Sequence, residues 1–116
     1  MIKLIALLKR KPGVSKEEFA RRWVNDHTKL STQIPGILGY RINIATDRQP
    51  DAIGHEPIYD GTAELWFESI DAMEAGFATE IGKIAGADAD EFCEVRIHLY
   101  TEEHMIVEGP DRDKLP

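Results

Sequence analysis

Apolar and polar residues alternate along this chain with two periods, close to two in some stretches and close to 3.6 in others, and the switches divide it into elements. Ile2 to Arg10 reads as a strand closed by the turn pair Pro12-Gly13. Its even positions Ile2, Leu4, Ala6 and Leu8 are all apolar, while the odd ones run Lys3, Ile5, Leu7, Lys9. A strand apolar on both faces at its centre is expected to be covered on both. Ser15-Lys16-Glu17-Glu18 has the form of a capping box, with the serine oxygen accepting from the Glu18 amide and the Glu18 side chain reaching back to the serine N–H. The helix it starts carries Phe19, Trp23, His27, Leu30 and Ile34 on one stripe and stops at Pro35-Gly36.

Ile37 to Ala45 alternates as a second strand, with Leu38, Tyr40, Ile42 and Ile44 opposed to Gly39, Arg41 and Asn43. Thr46 to Asp60, with two prolines and a glycine, is a long loop. Gly61 to Glu68 is a third strand, Ala63, Leu65 and Phe67 facing away from Glu64, Trp66 and Glu68. Ser69 caps a second helix with the stripe Ile70, Met73, Phe77, Ile81 and Ile84, its end weakened by Gly82 and Gly86. Asp88 to Phe92 fits one short helical turn. In the fourth strand, Cys93 to Tyr100, the residues Cys93, Val95, Ile97 and Leu99 oppose Glu94, Arg96, His98 and Tyr100. Residues 1–108 form one domain, and 109–116 a polar tail. The apolar knot Met105-Ile106-Val107 before it either crosses onto a partner or frays.

The order βαββαβ specifies an α+β, ferredoxin-like fold, a four-stranded antiparallel sheet with both helices on one face. If the more apolar face of each strand meets the helices, the bare face carries Ile5 and Leu7 ringed by Arg41, Asn43, Trp66, Arg96 and Tyr100. Such a patch is too apolar for open solvent. Two sheets pairing face to face in a homodimer, a dimeric α+β barrel, would cover it. A chain of 116 residues is one domain of ordinary size, but it buries only about two-thirds of its unfolded surface, which hints at an oligomer.

Composition narrows the function. A formal charge of -7 argues against nucleic acid or an anionic membrane as partner. The longest uninterrupted apolar run, Leu4 to Leu8, is far short of the roughly 20 residues that cross a bilayer. With no secretory signal pattern at its start, the chain is expected in the cytoplasm. The single Cys93 excludes an internal disulfide and reads as a small apolar core residue.

His27 is the most informative residue, because the helical stripe turns its imidazole toward the sheet and away from water. Tyr40 lies on the helix-facing side of the second strand, so the two can meet. An imidazole beside a phenol in an apolar pocket moves protons at neutral pH. A purely structural reading competes with this, in which His27 bonds a backbone carbonyl and Tyr40 is core. Phe19, Trp23 and Trp66 are candidate walls of a substrate pocket, and His55 in the long loop could close over it. His98, beside Arg96 and Tyr100, suggests an interface hydrogen bond. The histidines have no metal-ligand spacing, so no metal is expected, although His27 alone could serve as an axial haem ligand. Phosphate-binding glycine loops and a nucleophile elbow are both absent.

Several stretches resemble the EthD family: the opening Met-Ile-Lys-Leu-Ile-Ala-Leu-Leu-Lys-Arg-Lys-Pro-Gly, the Ser-Lys-Glu-Glu-Phe helix start, Trp23 with Asn25-Asp26-His27, Ile34-Pro35-Gly36-Ile37, Tyr40, and Tyr59-Asp60-Gly61-Thr62-Ala63-Glu64-Leu65-Trp66-Phe67-Glu68-Ser69. The resemblance implies a dimeric α+β barrel. Its relatives include methylmuconolactone methylisomerase, fungal polyketide dehydratases and decarboxylases, and a protein accompanying a cytochrome monooxygenase in ethyl tert-butyl ether degradation. His27 and Tyr40 match the methylisomerase by position. A third-strand cysteine of that enzyme falls at Leu65, so its chemistry need not transfer. The resemblance thus implies a cofactor-free enzyme, of isomerase, lyase or cyclase type, for a small apolar oxygenated molecule. An accessory or binding protein and a haem-handling barrel are the alternatives.

Overall fold

The computed structural model describes residues 1–50 and 58–110. Four strands, β1 (Ile2–Arg10), β2 (Gly39–Ile44), β3 (Gly61–Phe67) and β4 (Cys93–Thr101), form one sheet in the order β2-β3-β1-β4 with every neighbour antiparallel. The helices lie on one face, which makes the fold ferredoxin-like. The core sits between them and the sheet, with Leu4, Phe19, Trp23, Phe67 and Met73 almost wholly buried. At the chain reversal before β3, a Cβ on Gly61 would come within 2.7 Å of the Trp23 ring, so only glycine lets the indole close over the sheet.

The first helical stretch starts as its cap predicts, with Ser15 Oγ accepting from the Glu18 amide at 3.1 Å. The other half of the capping box does not form, because the Glu18 carboxylate is taken by Arg21, at 2.6 and 3.0 Å. Nor is the stretch a uniform helix. It runs as α1 (Lys16–Arg21), a π-helical segment (Arg22–His27) and α2 (Thr28–Ser31). The buried set is Phe19, Trp23, His27, Ser31 and Ile34, with Ser31 in the place expected for Leu30. In an α-helix, each step of four residues drifts by about 40°. The i→i+5 turns of the π segment rotate less per residue and offset that drift, so steps of four stay aligned.

The second helical stretch is also divided, where one helix and a separate turn were expected. α3 (Ile70–Phe77), capped by Ser69, gives way to α4 (Glu80–Phe92) at Thr79, whose hydroxyl donates to the Gly76 carbonyl at 2.6 Å and accepts from the Gly82 amide at 3.2 Å. α4 buries Gly82, Ala85 and Ala89, a stripe of small residues that ends at the buried Phe92, and leaves Ile84 exposed.

The largest departure is in β4. Its register places Arg96, His98 and Tyr100 opposite Leu8, Ala6 and Leu4, on the helix-facing side, and Val95, Ile97 and Leu99 opposite Lys9, Leu7 and Ile5, on the open face. This reverses the faces expected from alternation. The cause is a bulge: Lys9 pairs with Val95 but Arg10 with Cys93, so Glu94 is an extra residue and every side chain beyond it changes sides. Cys93, before the bulge, stays in the core. The open face therefore carries the apolar stripe Ile5, Leu7, Ile97 and Leu99 rather than Arg96 and Tyr100.

Candidate functional site

Between helices and sheet lies a cavity of about 430 Å³. Leu4, Ala6 and Leu8 of β1 form its floor, and the helices add Trp23, His27, Ser31, Ala85 and Ala89 to its walls. Tyr40 enters from β2. Arg96, His98 and Tyr100 enter from β4 because of the bulge. The cavity is thus apolar on its floor and studded with polar groups at its sides. A wider depression of about 940 Å³ lies by the far end of β1, but several of its charged groups are engaged with one another, Arg10 with Asp60 at 2.7 Å and Lys9 with Glu94 at 3.5 Å. It holds no histidine among the described residues, so the smaller cavity is the site of interest.

His27 is 8% exposed, and its Nδ1 lies 2.9 Å from Asp88 Oδ2 on α4. Its partner is therefore a carboxylate, not the backbone carbonyl of the structural reading. Arg22 Nη2 donates to the other Asp88 oxygen at 2.8 Å. Burial alone would raise the Asp88 carboxyl, but the hydrogen bonds from His27 and Arg22, with the charge of Arg22, outweigh it and hold it below its ordinary 3.8. An ionised carboxylate accepts only, so the neutral imidazole carries its proton on Nδ1 and leaves Nε2 as a base.

Tyr40 shares the cavity with His27 but is hydrogen-bonded to Ser31, with 2.9 Å between the two hydroxyl oxygens. Burial pushes the phenol above its ordinary 10.0, and the Ser31 bond offsets only part of that. It is a protonated donor at neutral pH. With Ser31 donating to Tyr40 Oη, the phenolic hydrogen is free for a ligand. The two side chains share the cavity without bonding each other: Asp88 is the partner of His27, and Ser31 that of Tyr40.

The other expected residues divide. Trp23 lines the cavity. Phe19 does not; it is 1% exposed and packs edge-on against Trp23 and Phe92, supporting the wall from behind. Trp66 is on the opposite face of the sheet, with Lys3 Nζ 4.6 Å and the Arg41 guanidinium 5.3 Å from its ring, so it is not a pocket wall. His55 lies outside the described residues. His98, expected at an interface, reaches the cavity and stands 6.1 Å from the Phe77 ring. Burial pushes the Cys93 thiol up to about 12, which removes it as a nucleophile at neutral pH. No group of three or more His, Cys, Asp or Glu side chains suited to a metal ion occurs among the described residues.

Sequence reasoning missed Ser31, Arg96 and Tyr100 as cavity groups, and Asp88 as the partner of His27 behind the cavity wall. Asp88 had a weak signal, an acid on the same α4 face as the buried Ala85, Ala89 and Phe92. The β4 residues had none, since the bulge follows from pairing.

The EthD domain model matches residues 11–95. Among solved structures, an ethyl tert-butyl ether (EthD) family protein of Bacillus halodurans is 26% identical with a TM-score of 0.75, over 90% of this chain and 99% of that one. A dimeric ferredoxin-like protein of unknown function from Thermobifida fusca is 18% identical with a TM-score of 0.66, over 86% and 88%. SnoaB from Streptomyces nogalater, described as a cofactor-independent oxygenase, is 10% identical with a TM-score of 0.65, over 92% and 97%. No protein of curated function matches the chain.

Proposed function

The chain belongs to the EthD family, and from that premise we propose that it is a cofactor-free, acid–base enzyme acting as a homodimer on a small apolar oxygenated molecule. One observation carries the reading: a buried histidine, its Nδ1 held by a carboxylate, faces a cavity that also holds a protonated tyrosine. A cavity of about 430 Å³ with an apolar floor and polar sides suits a lactone, an aromatic-degradation intermediate or a compact polyketide.

His27 Nε2 takes a proton from the carbon beside a carbonyl. The C–H electron pair moves into a new C=C bond, and the negative charge developing on oxygen is met by the Tyr40 hydroxyl. The imidazolium, stabilised by Asp88, returns the proton to another carbon in an isomerisation or to a leaving oxygen in an elimination. No electron is gained or lost, so no cofactor is required. SnoaB, described as a cofactor-independent oxygenase, carries out a different, oxidative reaction but supports the reading that this fold can work without a cofactor.

The homodimer rests on the open sheet face. Ile97 and Leu99 are 43% and 54% exposed and continue the apolar stripe of Ile5 and Leu7. A two-fold pairing covers both copies of the stripe at once. The T. fusca neighbour is described as dimeric.

The test is turnover of a panel of lactones and polyketide-like compounds by the wild type and His27→Ala. A positioned acid or base contributes roughly 10²- to 10⁴-fold, so the variant should lose at least about 100-fold in kcat. Loss of less than tenfold would remove His27 from the chemistry. Binding without turnover across the panel would favour a carrier.

A further inference from the structure

We infer that Asp88 and Arg22 are positioning residues that set the tautomer and orientation of His27, and that the π-helical segment exists to bring Arg22 and His27 onto one carboxylate. The inference rests on the reading of His27 as the acid–base residue. Its geometry is independent of any substrate.

Arg22 and His27 are the first and last residues of the π segment, five positions apart. In a regular α-helix, residues five apart point about 140° away from each other and could not reach one carboxylate. In i→i+5 geometry they lie one turn apart and project to the same side. Both do so here, Arg22 to Asp88 Oδ1 at 2.8 Å and His27 to Oδ2 at 2.9 Å. One turn further along α4, Phe92 supports both: its ring stands edge-on to the imidazole at 5.6 Å and beneath the guanidinium at 5.3 Å. Asp88 and Phe92 thus form a cradle on α4 for the two ends of the π turn.

Each part has a distinct task. Arg22 occupies one carboxylate oxygen, which fixes the rotation of Asp88 and leaves the other oxygen aimed at His27. Asp88 accepts the Nδ1 proton, which keeps Nε2 unprotonated and directed into the cavity. Once His27 has taken a proton, the same carboxylate faces an imidazolium. Side-chain exposures of 10% for His27 and 19% for Asp88 make the pair less screened than a surface bridge. Arg22, at 29%, closes the network on its solvent side.

Nitrogen-15 NMR of the histidine-labelled protein tests this without a substrate. In the wild type the His27 Nδ1 should be the protonated nitrogen, its proton shifted downfield by the charged acceptor. Asp88→Leu should move the neutral ring toward the Nε2-protonated form. Asp88→Asn keeps an acceptor of the same size, so the tautomer should persist while the Nδ1 proton moves upfield. It also guards against misfolding of the leucine variant. An unchanged Nδ1 resonance in a folded Asp88→Asn protein, or an unchanged tautomer in folded Asp88→Leu, would overturn the inference. With a turned-over compound in hand, Asp88→Leu should lower kcat by about 10²-fold with little change in KM. Should the tautomer respond to Asp88 while His27→Ala keeps its turnover, the positioning role stands and the acid–base reading falls.

Discussion

Trp66 and Phe67 are neighbours in β3, and the fold sends one to each side of the sheet. Phe67 is fully buried beneath α3, 5.7 Å from the Phe77 ring. Trp66 lies on the open side under Lys3 and Arg41, its indole N–H donating to Glu103 at 3.4 Å. The same contrast holds for the two faces as a whole. On the covered face, apolar side chains are closed over by helices and leave one cavity for polar chemistry. On the open face, the stripe Ile5, Leu7, Ile97 and Leu99 is edged by ions, Lys3 being held 2.6 Å from both Glu64 and Glu103. One side is complete within a single chain. The other, on the proposed homodimer reading, is covered by a second copy, so the dimer and the cavity should be separable by mutation.

The largest effect should come from breaking the covered face. Phe67→Ala should cost about 3–5 kcal/mol in denaturant unfolding, at any protein concentration. Trp66→Ala should lose a small concentration-independent part, its contacts with Lys3, Arg41 and Glu103, and a larger part through the dimer, so its cost should grow with protein concentration. Equal, concentration-independent costs would abolish the distinction between the faces.

Next in size is Ile97→Asp, which places an unpaired charge at the centre of the apolar stripe. Light scattering should show the mass fall to that of one chain, with the near-ultraviolet signal of the buried Trp23 retained. A variant that stays dimeric would move the interface elsewhere.

The smallest effect concerns pH and sharpens the account of the cavity. The Asp88 carboxyl is lower in the folded state than unfolded, so the unfolded chain binds its proton first as pH falls. Its stabilisation is complete above the ordinary carboxyl value of 3.8 and is lost as pH falls through the folded value. Asp88→Asn should be less stable than the wild type at neutral pH, and the gap should narrow in acid. A gap constant down to pH 2 would show that the carboxylate charge contributes nothing.

Much of this architecture is legible in the order of residues. Ile5 and Leu7, on the odd face of an otherwise one-sided strand, signal a sheet with apolar residues on both faces, and the open face does carry them beside Ile97 and Leu99. Ser15 and Ser69 mark helix starts, and both accept the expected amide. Tyr40 and Phe67 fall on the side their alternation assigns. His27 stands out as a polar residue on an apolar stripe. The failures share a cause. Leu30 yields to Ser31 because π turns leave the 3.6 period. Ile84 yields to Gly82, Ala85 and Ala89 because a helix packed close to its neighbours selects small residues, which carry little hydrophobic signal. Arg96, His98 and Tyr100 change sides because a bulge at Glu94 is a property of two strands meeting, not of either alone.

The sequence by itself determined the element order, the ferredoxin-like topology, the apolar residues on both faces of the sheet, and the placing of His27 on the sheet-facing side of its helix and Tyr40 on the helix-facing side of its strand. Those depend on local propensity and on periodicity, which a short window of residues contains. Only the tertiary structure decided that β4 turns its polar edge into the cavity, that Ser31 is hydrogen-bonded to Tyr40, and that Asp88, 61 residues from His27, is the group hydrogen-bonded to it. Register and hydrogen-bond partnership join distant segments, and no local pattern encodes which carboxylate an imidazole will meet.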